Sequence, residues 1–226
     1  MARDLPDLAP LIDHALLDPH AGQEAIERCC DEALHFGFAG VCVASRWVEY
    51  ARQRLPVNSK VRLISVVGFP FGAVPQPIKQ AEAEMVAALG ADELDVVPDF
   101  GALADGRGNV VYEELAALCE LDLPVKVILE VGRLTPEALE LAVAVSIDAG
   151  VSVLKTGSGF GPAVTVEQVR QLRQLARGRA AVKASGGISS LTMALDLVEA
   201  GASRLGTSRG VALMQALRQG ASALES

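Results

Sequence analysis

Aromatic residues are scarce in this chain, 4% of 226 residues, whereas 50% are hydrophobic. Any core it builds is therefore aliphatic, rich in Ala, Val and Leu, which suits parallel strands covered by helices. Positive charge is also short: 20 Lys and Arg stand against 28 Asp and Glu, a formal net charge of −8. That balance argues against nucleic acid or an anionic membrane surface as a partner. It does not exclude a local anion site built from backbone N–H groups. The four cysteines, Cys29, Cys30, Cys42 and Cys119, form no CxxC pair, so free thiols in a reducing cytoplasm are expected. No run approaches ~18 uninterrupted apolar residues, and the first residues lack the apolar core of a signal peptide. A soluble cytoplasmic protein is expected. Only three histidines occur, with no HExxH, paired-His spacing or Cys/His cluster, so no metal is expected. "GSGFG" follows a strand but does not complete a GxGxxG dinucleotide fingerprint.

What the chain does have is alternation. Apolar runs at 11–15, 40–44, 61–68, 93–98, 125–131, 151–157, 181–186 and 203–208 read as strands. Between them lie helix-period segments such as "PIKQAEAEMVAALGA", "TPEALELAVAVSIDAG", "TVEQVRQLRQLARG" and "SLTMALDLVEAGA". Thr135-Pro136-Glu137 offers an N-cap, an N1 proline and an acidic first turn, and Gly90, Gly150, Gly178 and Gly201 mark helix ends. Eight strands separated by helices match one (β/α)8 TIM barrel over residues 1–226 better than an open doubly wound sheet. "DFGALADGRGNV" reads as a polar loop over the active face.

Two lysines break the apolar pattern. Lys155 and Lys183 sit toward the C-terminal ends of their strands, where barrel enzymes gather their sites. Lysine is almost never fully buried unless it is paired. By strand parity Val153 shares a face with Lys155, and Ala181 and Ser185 share one with Lys183. If both faces point inward, two ammonium groups meet near the barrel mouth. A second cation beside a lysine in a poorly hydrated pocket disfavours the charged amine, and a neutral amine can attack a carbonyl to form a Schiff base. Asp95, flanked by Leu94 and Val96, is the carboxylate expected to pair with a lysine and move protons. Asp13 in "LIDHALL" is a second candidate. Lys126 and Glu130 share a face of "VKVILEV" and are assigned to the same charge network. Asp92 and Glu93 read as strand-start residues.

The glycines suggest a different task. "SGGI" at 185–188 opens a helix, and "RLGTS" at 204–208 leads from the last strand into another. Gly186, Gly187, Gly206 and Ser208 are therefore a phosphate-site candidate.

In this order and over nearly the whole chain, "LIDHALL", "GFAGVCVASRWV", "VVGFPFG", "GADELDVV", "VILEVGRLT", "LKTGSGF", "VKASGGI" and "GASRLGTS" resemble deoxyribose-phosphate aldolases. The resemblance implies a (β/α)8 class I aldolase that cleaves 2-deoxy-D-ribose 5-phosphate to glyceraldehyde 3-phosphate and acetaldehyde, without a metal or organic cofactor. It implies Lys155 as the Schiff-base lysine, Lys183 as the second lysine and Asp95 as the proton-transfer aspartate. Thr156 is then a substrate-binding candidate, and Asp13, Cys42 and Lys126 are supporting ones. Ala15 stands where the family usually has threonine, and Gly157-Ser158 where it usually has Ser-Thr, departures that bear on rate and substrate preference more than on reaction type. The partners implied are a sugar phosphate and acetaldehyde, and assembly into a homo-oligomer stays open. Two rival readings are another Schiff-base barrel aldolase and a catalytically silent phosphate-binding barrel.

Overall fold

The computed structural model describes residues 6–56 and 58–222. Eight parallel strands close into a barrel in sequence order, β1 Ile12–Leu16, β2 Gly40–Val43, β3 Arg62–Val67, β4 Glu93–Val96, β5 Val125–Ile128, β6 Val153–Lys155, β7 Ala181–Ser185 and β8 Arg204–Thr207, with β8 pairing back onto β1. The helices outside are α1 Gln23–Phe36, α2 Val48–Arg54, α3 Gln76–Ala88, α4 Phe100–Ala104, α5 Gly108–Cys119, α6 Pro136–Asp148, α7 Val166–Ala176, α8 Leu191–Glu199 and α9 Gly210–Ser222. The fold is a (β/α)8 TIM barrel. No helix among the described residues is long and apolar enough to cross a membrane.

Local signals explain most helix ends. The Thr135 hydroxyl accepts from the Ala138 N–H ahead of Pro136, and Thr165 and Gln168 form a reciprocal capping box on α7. Gly90, Gly150, Gly178 and Gly201 all take positive φ just past a helix, as the sequence suggested. Two expectations need correction. The stretch "DFGALADGRGNV" is not a loop: Asp99 caps the short α4, whose Ala102 and Leu103 are buried, and α5 begins at Gly108. "SGGI" does not open a helix either. Gly186 and Gly187 turn the chain at φ 110° and 68°, and α8 starts only after its Ser190 cap.

Strand alternation decides what lies on each side of the barrel wall. Leu94, Val96, Leu154, Val182, Ala184 and Leu205 point outward into the aliphatic layer under the helices. The interior apolar cluster is small, Cys42, Ile64 and Val66. Beside it the interior holds a cluster of charged side chains.

Candidate active site

The charged interior is one connected cluster. Asp95 enters from β4, Lys126 from β5, Lys155 from β6, Lys183 from β7 and Asp13 from β1, all 2% exposed or less. Register brings Asp95 beside Lys126 and Lys155 beside Lys183 on neighbouring strands. The Lys155 and Lys183 Nζ atoms each donate to Asp95 Oδ2 at 2.8 Å, and Lys126 Nζ donates to Asp95 Oδ1 at 2.8 Å. Lys183 also meets Asp13 Oδ2 at 2.5 Å, and Lys126 meets Glu93 Oε2 at 2.6 Å. Arg204, on β8, binds Asp13 Oδ1 and lies 3.5 Å from Glu93 Oε2. Four cations thus face three carboxylates.

The imbalance is not spread evenly. Lys126, Lys183 and Arg204 each touch two carboxylates, while Lys155 touches only Asp95, on an oxygen it shares with Lys183. Burial works most strongly against the Lys183 ammonium, but Asp13 and Asp95 outweigh it and hold its pKa above the ordinary lysine value. Burial likewise opposes ionisation of Asp95, yet Lys126, Lys155 and Lys183 hold its carboxyl well below the usual range. Asp13 follows the same logic, lowered against burial by Lys183, Lys126 and Arg204. At rest Lys183 is therefore a cation and Asp95 an anion. Lys155 is the amine with least to hold it in place.

Space for this cluster depends on Gly206. It lies inside β8, where a Cβ would stand 2.8 Å from Ser185 Oγ and 3.0 Å from Lys183 Cε. Any larger residue would displace the lysine.

Above the cluster opens a cavity of about 570 Å³, at the C-terminal end of the strands. Lys155, Lys183 and Cys42 form part of its lining, while Gly186, Gly187, Gly206, Ser208 and Arg209 line it beside the last two loops. The Cys42 Sγ lies 3.9 Å from Asp95 Oδ2, and burial, followed by the Asp95 charge, pushes its pKa up to about 11. It is a neutral thiol facing the cavity.

Most of the sequence candidates converge here, and two do not. The Thr156 hydroxyl donates to the Ser185 carbonyl and accepts from the Ser185 N–H, both at 2.9 Å, which ties β6 to β7. It does not line the cavity. Glu130 is buried but outside the lysine cluster. Its backbone turns to φ 47°, and its Oε1 accepts from the Ser158 N–H at 2.5 Å, beneath the loop that follows Lys155. Glu93, Arg204 and Arg209 were missed by sequence reasoning. Parity could have found the first two, since Glu93 alternates with Asp95 and Arg204 with Gly206.

Fold and cluster define a TIM barrel with a buried amine–carboxylate site at its C-terminal mouth. No family model matches the chain. A deoxyribose-phosphate aldolase of Thermosynechococcus vestitus (strain NIES-2133 / IAM M-273 / BP-1) is 48% identical over 213 residues, 94% of this chain and 98% of the relative. Among solved structures, one titled "QR15, an Aldolase" has a TM-score of 0.90 and 35% identity, over 95% of this chain and 97% of that one. A deoxyribose phosphate aldolase from Aeropyrum pernix, described as tetrameric, has a TM-score of 0.85 and 33% identity, over 93% and 91% of the two chains. The chain belongs to the deoxyribose-phosphate aldolase family, which makes it an aldehyde-lyase.

Proposed function

We propose that the chain reversibly cleaves 2-deoxy-D-ribose 5-phosphate through a Schiff base on Lys155, in the breakdown of deoxyribose phosphate in the cytoplasm. The observation that carries this reading is the convergence of Lys155 and Lys183 on one oxygen of Asp95 beneath the cavity. Neutral Lys155 Nζ attacks C1 of the open-chain sugar, and loss of water gives the iminium. A base removes the C3 hydroxyl proton, the C2–C3 bond breaks, and its electron pair flows toward the iminium nitrogen. C3 leaves as the aldehyde of glyceraldehyde 3-phosphate, and a two-carbon enamine stays on Lys155. Protonation at C2 and hydrolysis release acetaldehyde and restore the amine. Asp95, through Lys183 or a water, moves these protons, and Lys183 supplies the positive field. No metal or organic cofactor takes part. Mass spectrometry after treatment with acetaldehyde and borohydride tests the reading: an ethyl group on one lysine supports it, and an unmodified protein sinks it.

The 5-phosphate sits on the turns after β7 and β8. Support comes from Gly186, Gly187, Ser208 and Arg209 at the cavity, with Arg209 adding a cation just ahead of α9. Gly206 contributes room rather than a loop N–H. Gly187→Asp should raise KM for the phosphorylated sugar. Because Gly187 has φ 68° and a Cβ there would meet Ala163 Cβ at 2.8 Å, Gly187→Ala is the steric control. An aspartate effect no larger than the alanine effect would remove the phosphate from this turn. The whole of 1–226 acts as a single barrel domain in this reading. A homo-oligomer is also part of it, supported by the tetrameric relative and by exposed Phe71, Ile78 and Met85. A light-scattering mass above that of one chain checks the assembly.

A further inference from the structure

We propose that His14 is a positioning residue for the phosphate turn, acting on Ser208 and Arg209 through the first turn of α9. The inference rests on the phosphate assignment above. Adjacent side chains of β1 leave the strand on opposite sides. Asp13 enters the barrel and meets Lys183, while His14 turns outward and is only 4% exposed. Its ring packs against Phe38 at 5.2 Å, and its Nε2 lies 2.8 Å from the Glu32 carboxylate of α1.

A carboxylate accepts, so Nε2 carries the proton, and in the neutral ring Nδ1 is left as an acceptor. That Nδ1 has no hydrogen-bond partner among the described residues, and such a buried atom needs a reason. It faces Gly210, the first residue of α9, where a Cβ would stand 3.0 Å from Nδ1 and 3.0 Å from the Phe38 ring. The start of a helix presents free N–H groups and the positive end of its dipole. An acceptor held beneath it draws that end toward β1.

A separate cavity of about 350 Å³ lies on this side, and His14, Glu32, Ser208 and Arg209 all line it. Ser208 and Arg209 also line the substrate cavity, while His14 and Glu32 do not. The turn at 208–209 is therefore a partition with open space on both sides. On the β8 side the Arg209 N–H donates to Thr207 Oγ1, which itself donates to the Ile188 carbonyl, both at 3.0 Å, and on the β1 side the turn leads into the start of α9 that His14 faces. The His14–Glu32 pair sets where the partition stands.

The test compares steady-state kinetics on 2-deoxyribose 5-phosphate and on unphosphorylated 2-deoxyribose. In His14→Leu and Glu32→Leu, KM for the phosphorylated sugar should rise about tenfold, the size of one lost hydrogen bond, with kcat and the activity on deoxyribose within about twofold of wild type. Glu32→Gln, whose amide oxygen still accepts from Nε2, should stay near wild type. An equal loss on both sugars, or no change in either leucine variant, overturns the proposal. Should the leucine variants not fold, Gly210→Ala presses a Cβ against Nδ1 and should raise the same KM selectively; an unchanged phosphate preference there also overturns it. Failure of the phosphate assignment itself reads out separately, as a wild-type enzyme without preference for the phosphorylated sugar.

Discussion

Lys155→Leu should abolish the borohydride-trapped acetaldehyde adduct, while Lys183→Leu should still permit some trapping, at higher pH. Both lysines reach the cavity and both donate to Asp95 Oδ2, so position alone does not separate them. Their partners do. Lys183 is held by two carboxylates and Lys155 by one. Removing Lys183 takes one cation from a cluster of four cations and three carboxylates. The remaining amines then hold their protons more firmly as a group, and free amine appears only at higher pH. Peptide mapping of the reduced adduct decides the matter. An ethyl group on Lys183 with Lys155 untouched would reverse the assignment.

Asp95→Asn should lower kcat by roughly 10²–10⁴ while keeping the shape of the side chain. It should also destabilise the fold, by about 3–5 kcal/mol, because three buried ammonium groups lose a shared anion. The sign of the pH dependence follows from the lowered carboxyl. A group whose pKa is depressed on folding contributes stability that is complete above the unfolded value, ~4, and is lost as pH falls through the folded value. The stability gap between wild type and variant, measured by urea unfolding, should therefore be widest at neutral pH and narrow in acid. A gap that stays constant down to the acid limit would mean that Asp95 is not ion-paired in solution. Normal turnover in a well-folded variant would move the proton-transfer role to Asp13.

The barrel and the centre of the candidate site were legible because alternation is a strict geometric rule within strands. Leu94-Asp95-Val96 and Val153-Leu154-Lys155 place their polar members on the opposite side from the aliphatic layer, and no knowledge of neighbours is needed to see it. The same rule failed when carried past a strand end. β5 stops at Ile128, and the positive φ at Glu130 breaks the parity that linked it to Lys126. Which partners complete a buried charge is a matter of register between strands distant in sequence. Arg204 meets Asp13 across 191 positions, and nothing local to either announces the other. Thr156 reads the same in sequence whether its hydroxyl faces substrate or clips two strands together, and the structure has it clip β6 to β7. α4 was missed because glycine and aspartate suggest a loop, although Asp99 is there as a cap.

A barrel floored with ions instead of hydrocarbon ties durability to reactivity. Replacing Asp13, Glu93, Lys126 and Arg204 together with well-packed aliphatic side chains would remove their desolvation cost and should raise the melting temperature. It would also dismantle the field that keeps Asp95 ionised and Lys183 in place. Under the proposed mechanism the product would be a hardier protein with no chemistry. Thermostable variants of this enzyme are therefore to be sought in the aliphatic layer around Leu94, Leu154 and Leu205 or at helix ends, where packing can improve without touching a proton.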